Sequence, residues 1–556
     1  MSEKVDNSRR GFLSRAAAFS ISLTAKPVFA VGGDVHGLPV RLKDVNTTSI
    51  RDAVSLGCRN MGNVFNRDDH DMPFQGSEVW PDAELVFSNY FSEAHVPGRH
   101  LNALLNAEDA FGIHVDETVI EKHAKAAFFS YSGPVPLPLN RKTIGGKLET
   151  FFPHNLREGF HALYALVKYR KSEHASDLAE QSIAAIQKYW KPDTGWDRDY
   201  LSNTLGLEVV EAPFIIGIGR ALGPLVKYYR ATQYKPALEL ATVLKDKALA
   251  DFFTTSGEFD AKRFGTHVHS TTCVMSSLAQ FADLTKDPTV MERARLFFER
   301  GLRQISDEVG WAPESAGEPA PDMGEANDTG DILETALLLG QSVNLAYFQR
   351  AERILRCHLL PCQLRDVSWI INPSNPKGED GKRDLANRNR GAFGFPAPYG
   401  HKPVGAKTIS FNTDIVGGAV GSLCEAWRSA TKFGDSGHRL NLWMDYESPH
   451  IKVRSPYDDG MLRIELRKPG PLAIRIPDWL SPHDITTDFP QRGFQNGYLT
   501  IDQPPIGKEV RIRVSLKRSR ITLNHRTHQI NVVLNGDSVS AMENFGVALT
   551  YFDPLS

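Results

Sequence analysis

Ala165-Leu-Val-Lys-Tyr169-Arg-Lys-Ser-Glu-His-Ala175-Ser-Asp-Leu-Ala179 and Leu225-Val-Lys-Tyr-Tyr229-Arg-Ala-Thr-Gln-Tyr-Lys-Pro236-Ala-Leu-Glu-Leu-Ala241 share one form. An apolar run ends in tyrosine and a basic residue, a short polar turn follows, and a run rich in Ala and Leu begins. Helical spacing of apolar residues on both sides of a turn reads as a helical hairpin. Tyr169 and Tyr229 lie 60 residues apart, and recurrence at such a period marks a repeat architecture.

Outward from these two stretches, helical patterning runs from about Val115 to Gly421. Helices are expected over 161–169, 175–190, 214–231, 236–253, 271–284, 288–305, 331–339, 347–359 and 416–430. Stacked hairpins form either an open solenoid or a closed ring. Long loops rich in Trp, His, Asp and Arg separate the pairs, and a ring gathers such loops at one mouth. The expectation is therefore a mainly α fold, an (α/α)6 barrel over residues 31–440. After Asn441 the pattern changes to period-two alternation, as in Ile451-Lys-Val-Arg-Ser455, Met461-Leu-Arg-Ile-Glu-Leu-Arg467 and Val510-Arg-Ile-Arg-Val514. Residues 441–556 are expected to form an antiparallel β-sandwich that supports the barrel.

The 556 residues are 41% hydrophobic and 23% charged, with a net charge of -2. This composition excludes a disordered chain. The near-neutral balance gives no global field for nucleic acid. Five cysteines, an odd number without a CxxC pair, argue against a disulfide framework and a four-cysteine zinc site. No apolar run reaches the roughly 18 residues of a membrane span. Ser8-Arg9-Arg10-Gly11-Phe12-Leu13 reads as a twin-arginine export motif, followed by a moderately apolar stretch and Val28-Phe29-Ala30 as a cleavage site. Residues 1–30 are therefore expected to be a signal peptide, and the protein periplasmic or secreted.

Several clusters carry residues suited to chemistry. Gly324-Glu325-Ala-Asn327-Asp328-Thr-Gly-Asp331-Ile-Leu-Glu334 crowds carboxylates at a loop-to-helix entry. Asp328 or Thr329 reads as a cap there, with Asp331 and Glu334 at capping-box spacing. Crowded carboxylates also shift one another's proton affinity, as an acid/base pair requires. Glu325, Asp328 and Asp331 are candidate catalytic groups. Asp414, opening the last long helix, is the fourth, either as an N-cap or as a carboxylate facing the barrel axis. His267 and His269 precede a helix at i, i+2; sugar binding or proton transfer suits them better than metal. Arg157 and Arg220 stand near helix starts and either bind an acidic sugar or pair with Glu158 and Glu211. Arg390, Tyr399 and His401 lie in a polar loop, where a Tyr/His pair suits a lyase acting on a uronate and arginine a carboxylate.

These motifs, in order, resemble glycoside hydrolase family 127, the β-L-arabinofuranosidase group, whose members pair an (α/α)6 barrel with β-sandwich domains. Gly265-Thr-His267 resembles its Gly-Asn-His stretch. Glu325 and the helix Ala351-Glu-Arg353-Ile-Leu-Arg-Cys357-His-Leu-Leu360 resemble its Glu-x-Cys motif and following helix. Gly470-Pro-Leu-Ala-Ile-Arg-Ile-Pro-Asp-Trp479 resembles its sandwich strand. The resemblance implies a zinc-bound cysteine nucleophile, but Asn327 falls on the Glu-x-Cys cysteine and Asp414-Ile415 on the Cys-Cys pair. Zinc and thiolate catalysis are therefore expected to be absent, and Cys357, Cys362 and Cys424 to be buried. Two-carboxylate glycoside hydrolysis without a cofactor is the expectation. The substrate would be an oligosaccharide or polysaccharide fragment ending in a uronic acid or an L-sugar. A polysaccharide lyase and a non-catalytic periplasmic sugar-binding protein are the alternatives.

Overall fold

The computed structural model describes residues 38–316, 322–489, 493–524 and 528–555. The twin-arginine motif lies outside them. Among the described residues, no helix is long and apolar enough to cross a membrane.

Six inner helices close a ring: α2 (Val96–Phe111), α4 (Leu156–Arg170), α6 (Leu222–Thr232), α8 (Val268–Thr285), α10 (Ala326–Ser342) and α12 (Thr413–Ala430). Each packs on the next and α12 packs back on α2. Six outer helices surround them: α1 (Ile50–Met61), α3 (Glu117–Ser130), α5 (Glu173–Tyr189), α7 (Lys235–Asp251), α9 (Pro288–Glu299) and α11 (Ala346–Ile354). This is the (α/α)6 barrel that the repeat implies.

The hairpins follow from local chemistry. Inner helices α4, α6 and α8 each end at one left-handed residue, Lys171, Gln233 and Lys286, with φ of 54°, 59° and 56°. The next residue is the N-cap of the outer helix, and Ser172 and Asp287 fill that position by accepting from backbone N–H groups. A two-residue link leaves the outer helix no course but back along the inner one. Close approach between inner helices needs glycine: a Cβ on Gly98 of α2 would come within 1.8 Å of the Glu158 carbonyl oxygen on α4.

Two five-stranded sheets follow the barrel. The strand Met461–Leu466 alternates half-buried and buried residues, and Leu462, Ile464 and Leu466 join Leu472, Ile474, Val510 and Ile512 in a separate core. The strand pairs are antiparallel except one, His438–Leu440 beside Leu472–Ile474, which runs parallel.

The chain's last part corrects the expectation of a sandwich reaching residue 556. Strands Arg518–Leu523, Ile530–Asn535 and Ser538–Met542 form their own sheet. Its buried Leu523, Ile530, Val532 and Leu534 belong to the barrel's hydrophobic core. The Thr550 carbonyl then accepts from the Leu42 N–H at 3.0 Å, so the chain's end is tied to the start of the barrel.

Candidate active site at the helix N-termini

All six inner helices start at the same end of the ring, and each brings ionisable side chains to its first turns. Helix α2 gives His95 and Arg99, α4 gives Arg157 and Glu158, and the turn before α6 gives Arg220. Helix α8 gives His267 and His269, α10 gives Glu325, Asp328 and Asp331, and α12 gives Asp414. Exposed N–H groups make a helix N-terminus favourable for negative charge, and three of the six helix starts, α4, α10 and α12, hold carboxylates.

Glu158 is the centre of this network and is fully buried. It meets Arg220 Nη2 at 2.9 Å, Arg99 Nη2 at 3.2 Å, His95 Nδ1 at 3.4 Å and Arg157 Nη1 at 3.5 Å. Burial alone would favour its neutral form, but Arg220 and its neighbours hold it well below the usual carboxylate range. Arg220 also meets Nε2 of His154, whose Nδ1 lies 2.8 Å from the Ile216 carbonyl.

Asp414 stands in the first turn of α12, where Asn412 holds the capping position, and turns its carboxylate into the site. Oδ2 lies 3.3 Å from His95 Nε2 and 3.8 Å from Arg99 Nε, and Oδ1 accepts from Gln75 Nε2 at 3.2 Å. Burial opposes the charge, but the hydrogen bond from His95, the Arg99 guanidinium and Gln75 outweigh it and hold Asp414 at about 2. Glu325 is in the opposite condition: burial and the nearby Asp414 charge push it up to about 7 against the pull of Arg99 and Asn327. Its Oε1 accepts from Asn327 Nδ2 at 2.6 Å and lies 3.4 Å from His269 Nδ1; Oε2 lies 4.0 Å from His267 Nε2.

The other two candidate carboxylates sit deeper. Asp331 lies 3.4 Å from His269 Nε2 and 3.3 Å from Arg157 Nη2, and burial raises it to about 6. Asp328 is fully buried and burial with its acidic neighbours raises it strongly. Neither caps the helix, which begins at Ala326, before the expected start at residue 331. Glu334 likewise leaves the expected capping box and accepts from Ser422 Oγ at 2.8 Å.

The ring thus gathers Glu325, Asp328, Asp331, Asp414, His267, His269, Arg157 and also Arg220. It does not gather three other predicted residues. Tyr399 donates to Asp322 Oδ2 at 2.8 Å, His401 Nδ1 meets Tyr551 Oη at 3.0 Å, and both are buried. Arg390 is exposed after the short helix Leu385–Asn389. Glu211 is exposed and its partner is Arg198, not Arg220. The Tyr/His pair expected for a lyase is therefore occupied in fastening the 396–404 loop. His95, Arg99, Gln75, His154 and Asn327 enter the site without having been predicted. Pro97 at the start of α2 is the one helix-start signal for the first two.

A zinc ion held as the resemblance implies does not fit these residues. Asn327 and Asp414 stand at two of the thiolate positions, and the third, Ile415, is buried and apolar. All five cysteines are free and buried. Donor atoms of His267, His269 and Glu325 do lie within 4.8 Å of one another, close enough to share a cation. Burial first, then Arg99 and Arg220, depress proton binding at both imidazoles, with Arg157 adding to the effect at His269, and these guanidinium groups repel a divalent cation in the same way. Hydrogen-bonded carboxyl and imidazole groups suit the surroundings better.

No family model matches the chain, and no curated protein matches it in sequence. Among solved structures, the fold is similar to a β-arabinofuranosidase of glycoside hydrolase family 127 (TM-score 0.55, 14% identity, 91% of this chain and 85% of that chain). It is similar to a protein described as a glycoside hydrolase (TM-score 0.53, 12% identity, 89% and 85%). A third is a family 127 β-L-arabinofuranosidase from Geobacillus stearothermophilus T6 (TM-score 0.52, 12% identity, 88% and 80%). The likeness at these identities is one of fold, and it is the distant resemblance that the motif order implies.

Proposed function

We propose that the protein is a glycoside hydrolase that removes a terminal sugar from an oligosaccharide, with Glu325 as general acid and Asp414 as nucleophile or general base. The observation that carries this reading is the opposite condition of two buried carboxylates on neighbouring inner helices. Glu325 keeps its proton up to about pH 7 and Asp414 is ionised above about pH 2. A carboxylic acid that protonates the leaving oxygen and a carboxylate that acts at the anomeric carbon are the two groups glycoside hydrolysis needs. The fold shared with proteins described as glycosidases supports the same reading.

Each remaining group has a place in that chemistry. His95 and Arg99 keep Asp414 charged. His267 has an open edge, with 29% of its side chain exposed, and reaches a sugar hydroxyl. Arg157 and the cationic ring around Glu158 favour an acidic sugar, so a terminal uronic acid is the proposed substrate class, and the fold shared with β-arabinofuranosidases makes a terminal L-sugar the second. Such a reaction needs no cofactor. The Ser8-Arg9-Arg10-Gly11-Phe12-Leu13 motif supports export to the periplasm or beyond.

The test is hydrolysis by the purified chain of oligosaccharides ending in uronic acid, L-arabinose or L-rhamnose, read by mass and by ultraviolet absorbance. Products that together weigh one water more than the substrate support the reading. An unsaturated product, or saturable binding without turnover, contradicts it.

A further inference from the structure

Asn327 stands where its two amide ends face opposite charges. Nδ2 donates to Glu325 Oε1 at 2.6 Å. Oδ1 is buried and has no hydrogen-bond partner in the protein. It faces a cavity on the barrel axis of about 30 Å³, lined by Arg99, Arg157, Asn327, Asp331 and Gly418 among others. Arg99 Nη1 also lacks a partner. A Cβ built on Gly418 would lie 2.0 Å from Asn327 Oδ1 and 2.8 Å from Arg99 Nη1, so the amide oxygen and the guanidinium face one point. Amide oxygen toward a cation and amide nitrogen toward a carboxyl is the orientation that electrostatics selects. A polar cavity of this volume holds about two waters, enough to bridge the two unpartnered atoms.

Hydrogen-bond accounting at Glu325 then has one solution. Oε1 accepts from Asn327 Nδ2 and lies 3.4 Å from His269 Nδ1. Arg157 Nη1 donates to His269 Nε2 at 3.4 Å, so the His269 proton is on Nδ1, and a proton on Oε1 would face two donors, that N–H and the Asn327 N–H, with no acceptor. The carboxyl proton therefore belongs on Oε2, the oxygen 4.0 Å from His267 Nε2 on the open side of the site. We propose that Asn327 is a positioning residue for the acid: it fixes the Glu325 proton on Oε2, directed at the leaving oxygen. This rests on the reading of Glu325 as the acid.

The charged and titratable groups that face Glu325 are His267 and His269 from α8, Arg99 from α2 and Asp414 from α12. Asp328 faces it from its own helix and Glu314 from the preceding loop, and Asp331 stands behind His269. A donor to a carboxylate favours its charged form, so loss of the Asn327 amide must raise the proton affinity of Glu325.

Infrared difference titration of the full chain reads that change without any substrate, with Glu325→Gln as the subtraction that identifies the Glu325 carboxyl band. In the unsubstituted chain the band is expected to disappear as pH rises through about 7. Asn327→Ala is expected to move the midpoint up by about one pH unit, the loss of one charge-assisted hydrogen bond. Asn327→Asp, the same size with no donor and a like charge, is expected to move it further and serves if the alanine variant does not fold. An unmoved midpoint in a folded variant overturns the inference. Calorimetric binding of one equivalent of Zn2+ that Glu325→Gln abolishes also overturns it, because Oε1 would then serve a cation. Full activity in Glu325→Gln would instead reject the parent reading, so the two failures are distinguishable.

Discussion

His95 Nε2 lies 3.3 Å from Asp414 Oδ2 across the seam where the first inner helix meets the last. These residues are more than three hundred positions apart in the chain, and closing the ring is what makes them neighbours. The same closure sets Arg99 beside Asp414 and Glu158. The surroundings that keep Asp414 charged are therefore a product of the fold's completion.

Asp414→Asn and Glu325→Gln are each expected to lower kcat on the order of 10²–10⁴-fold, the range for loss of a positioned acid or base. Glu325→Gln retains size and hydrogen-bonding shape, so its thermal unfolding should stay near that of the unsubstituted protein, whereas Asp414→Asn takes the anion from His95 and Arg99 and is expected to unfold at a lower temperature while remaining folded under assay conditions. Steady-state kinetics on the substrate found by the oligosaccharide panel checks this, and wild-type turnover in both variants would refute the pair.

Activity is expected to fall as pH rises through about 7, because Glu325 loses its proton there and can no longer protonate the leaving oxygen. Asp414 is charged above about 2, so its protonation places no limb near neutrality. A kcat/KM profile from pH 4 to 9 checks the sign. Activity that increases across pH 7 would contradict it.

Glu158→Gln is expected to cost stability rather than chemistry alone. It leaves Arg220 and Arg99, both buried, without their shared anion. Removing one partner of a buried ion pair costs about 3–5 kcal/mol. Urea unfolding should show a midpoint well below that of the unsubstituted chain.

Asp307 gives a separate pH test of stability. Its Oδ1 accepts from the Val309 and Trp311 N–H groups at 3.0 and 3.1 Å, and Oδ2 has no partner. Burial raises its pKa to about 8, against about 3.9 in an unfolded chain. The folded state thus holds this proton more tightly. The stability it contributes is complete below about pH 4 and is lost as pH rises toward 8. Asp307→Asn keeps the acceptor and removes the titration, so its unfolding midpoint should depend less on pH over that interval.

Tyr399→Phe is expected to leave turnover unchanged within about twofold, since the hydroxyl serves Asp322 and the Val404 N–H, not the site. A large loss of kcat would return Tyr399 to the chemistry.

The barrel is legible because apolar spacing survives in each helix by itself: each of the nine expected helices overlaps an observed one, and five agree within three residues at both ends when the turn 355–359 is counted with α11. The start of α10 differs because buried Gly, Asp and Thr at 326–331 look like a loop when their tertiary partners are unknown, and that of α6 because the apolar run from Phe214 forms turns up to Ala221 before the helix begins. Helices α1, α2 and α3 are not among the expected nine, and for α2 the reason is related. Val96-Pro-Gly-Arg-His-Leu-Asn carries no apolar stripe, since almost every residue of α2 is buried, and a helix buried all round shows no polar face. That omission hid His95 and Arg99. Four carboxylates and two histidines of the site were readable as local clusters. The Asp414–His95 contact and the Arg220–Glu158 pairing were not, because ring closure sets them rather than spacing. The C-terminal strands were assigned to the sandwich because alternation shows that a face is buried but not which core buries it.

The most direct test of the central claim is hydrolysis of uronic acid-, L-arabinose- and L-rhamnose-terminated oligosaccharides in 18O-labelled water by the unsubstituted chain, Glu325→Gln and Asp414→Asn, read by mass. The account predicts one 18O atom in the released sugar with the unsubstituted chain and at most a small fraction of that rate with either variant. An unsaturated, unlabelled product, or labelled product formed at the unsubstituted rate by both variants, would contradict it.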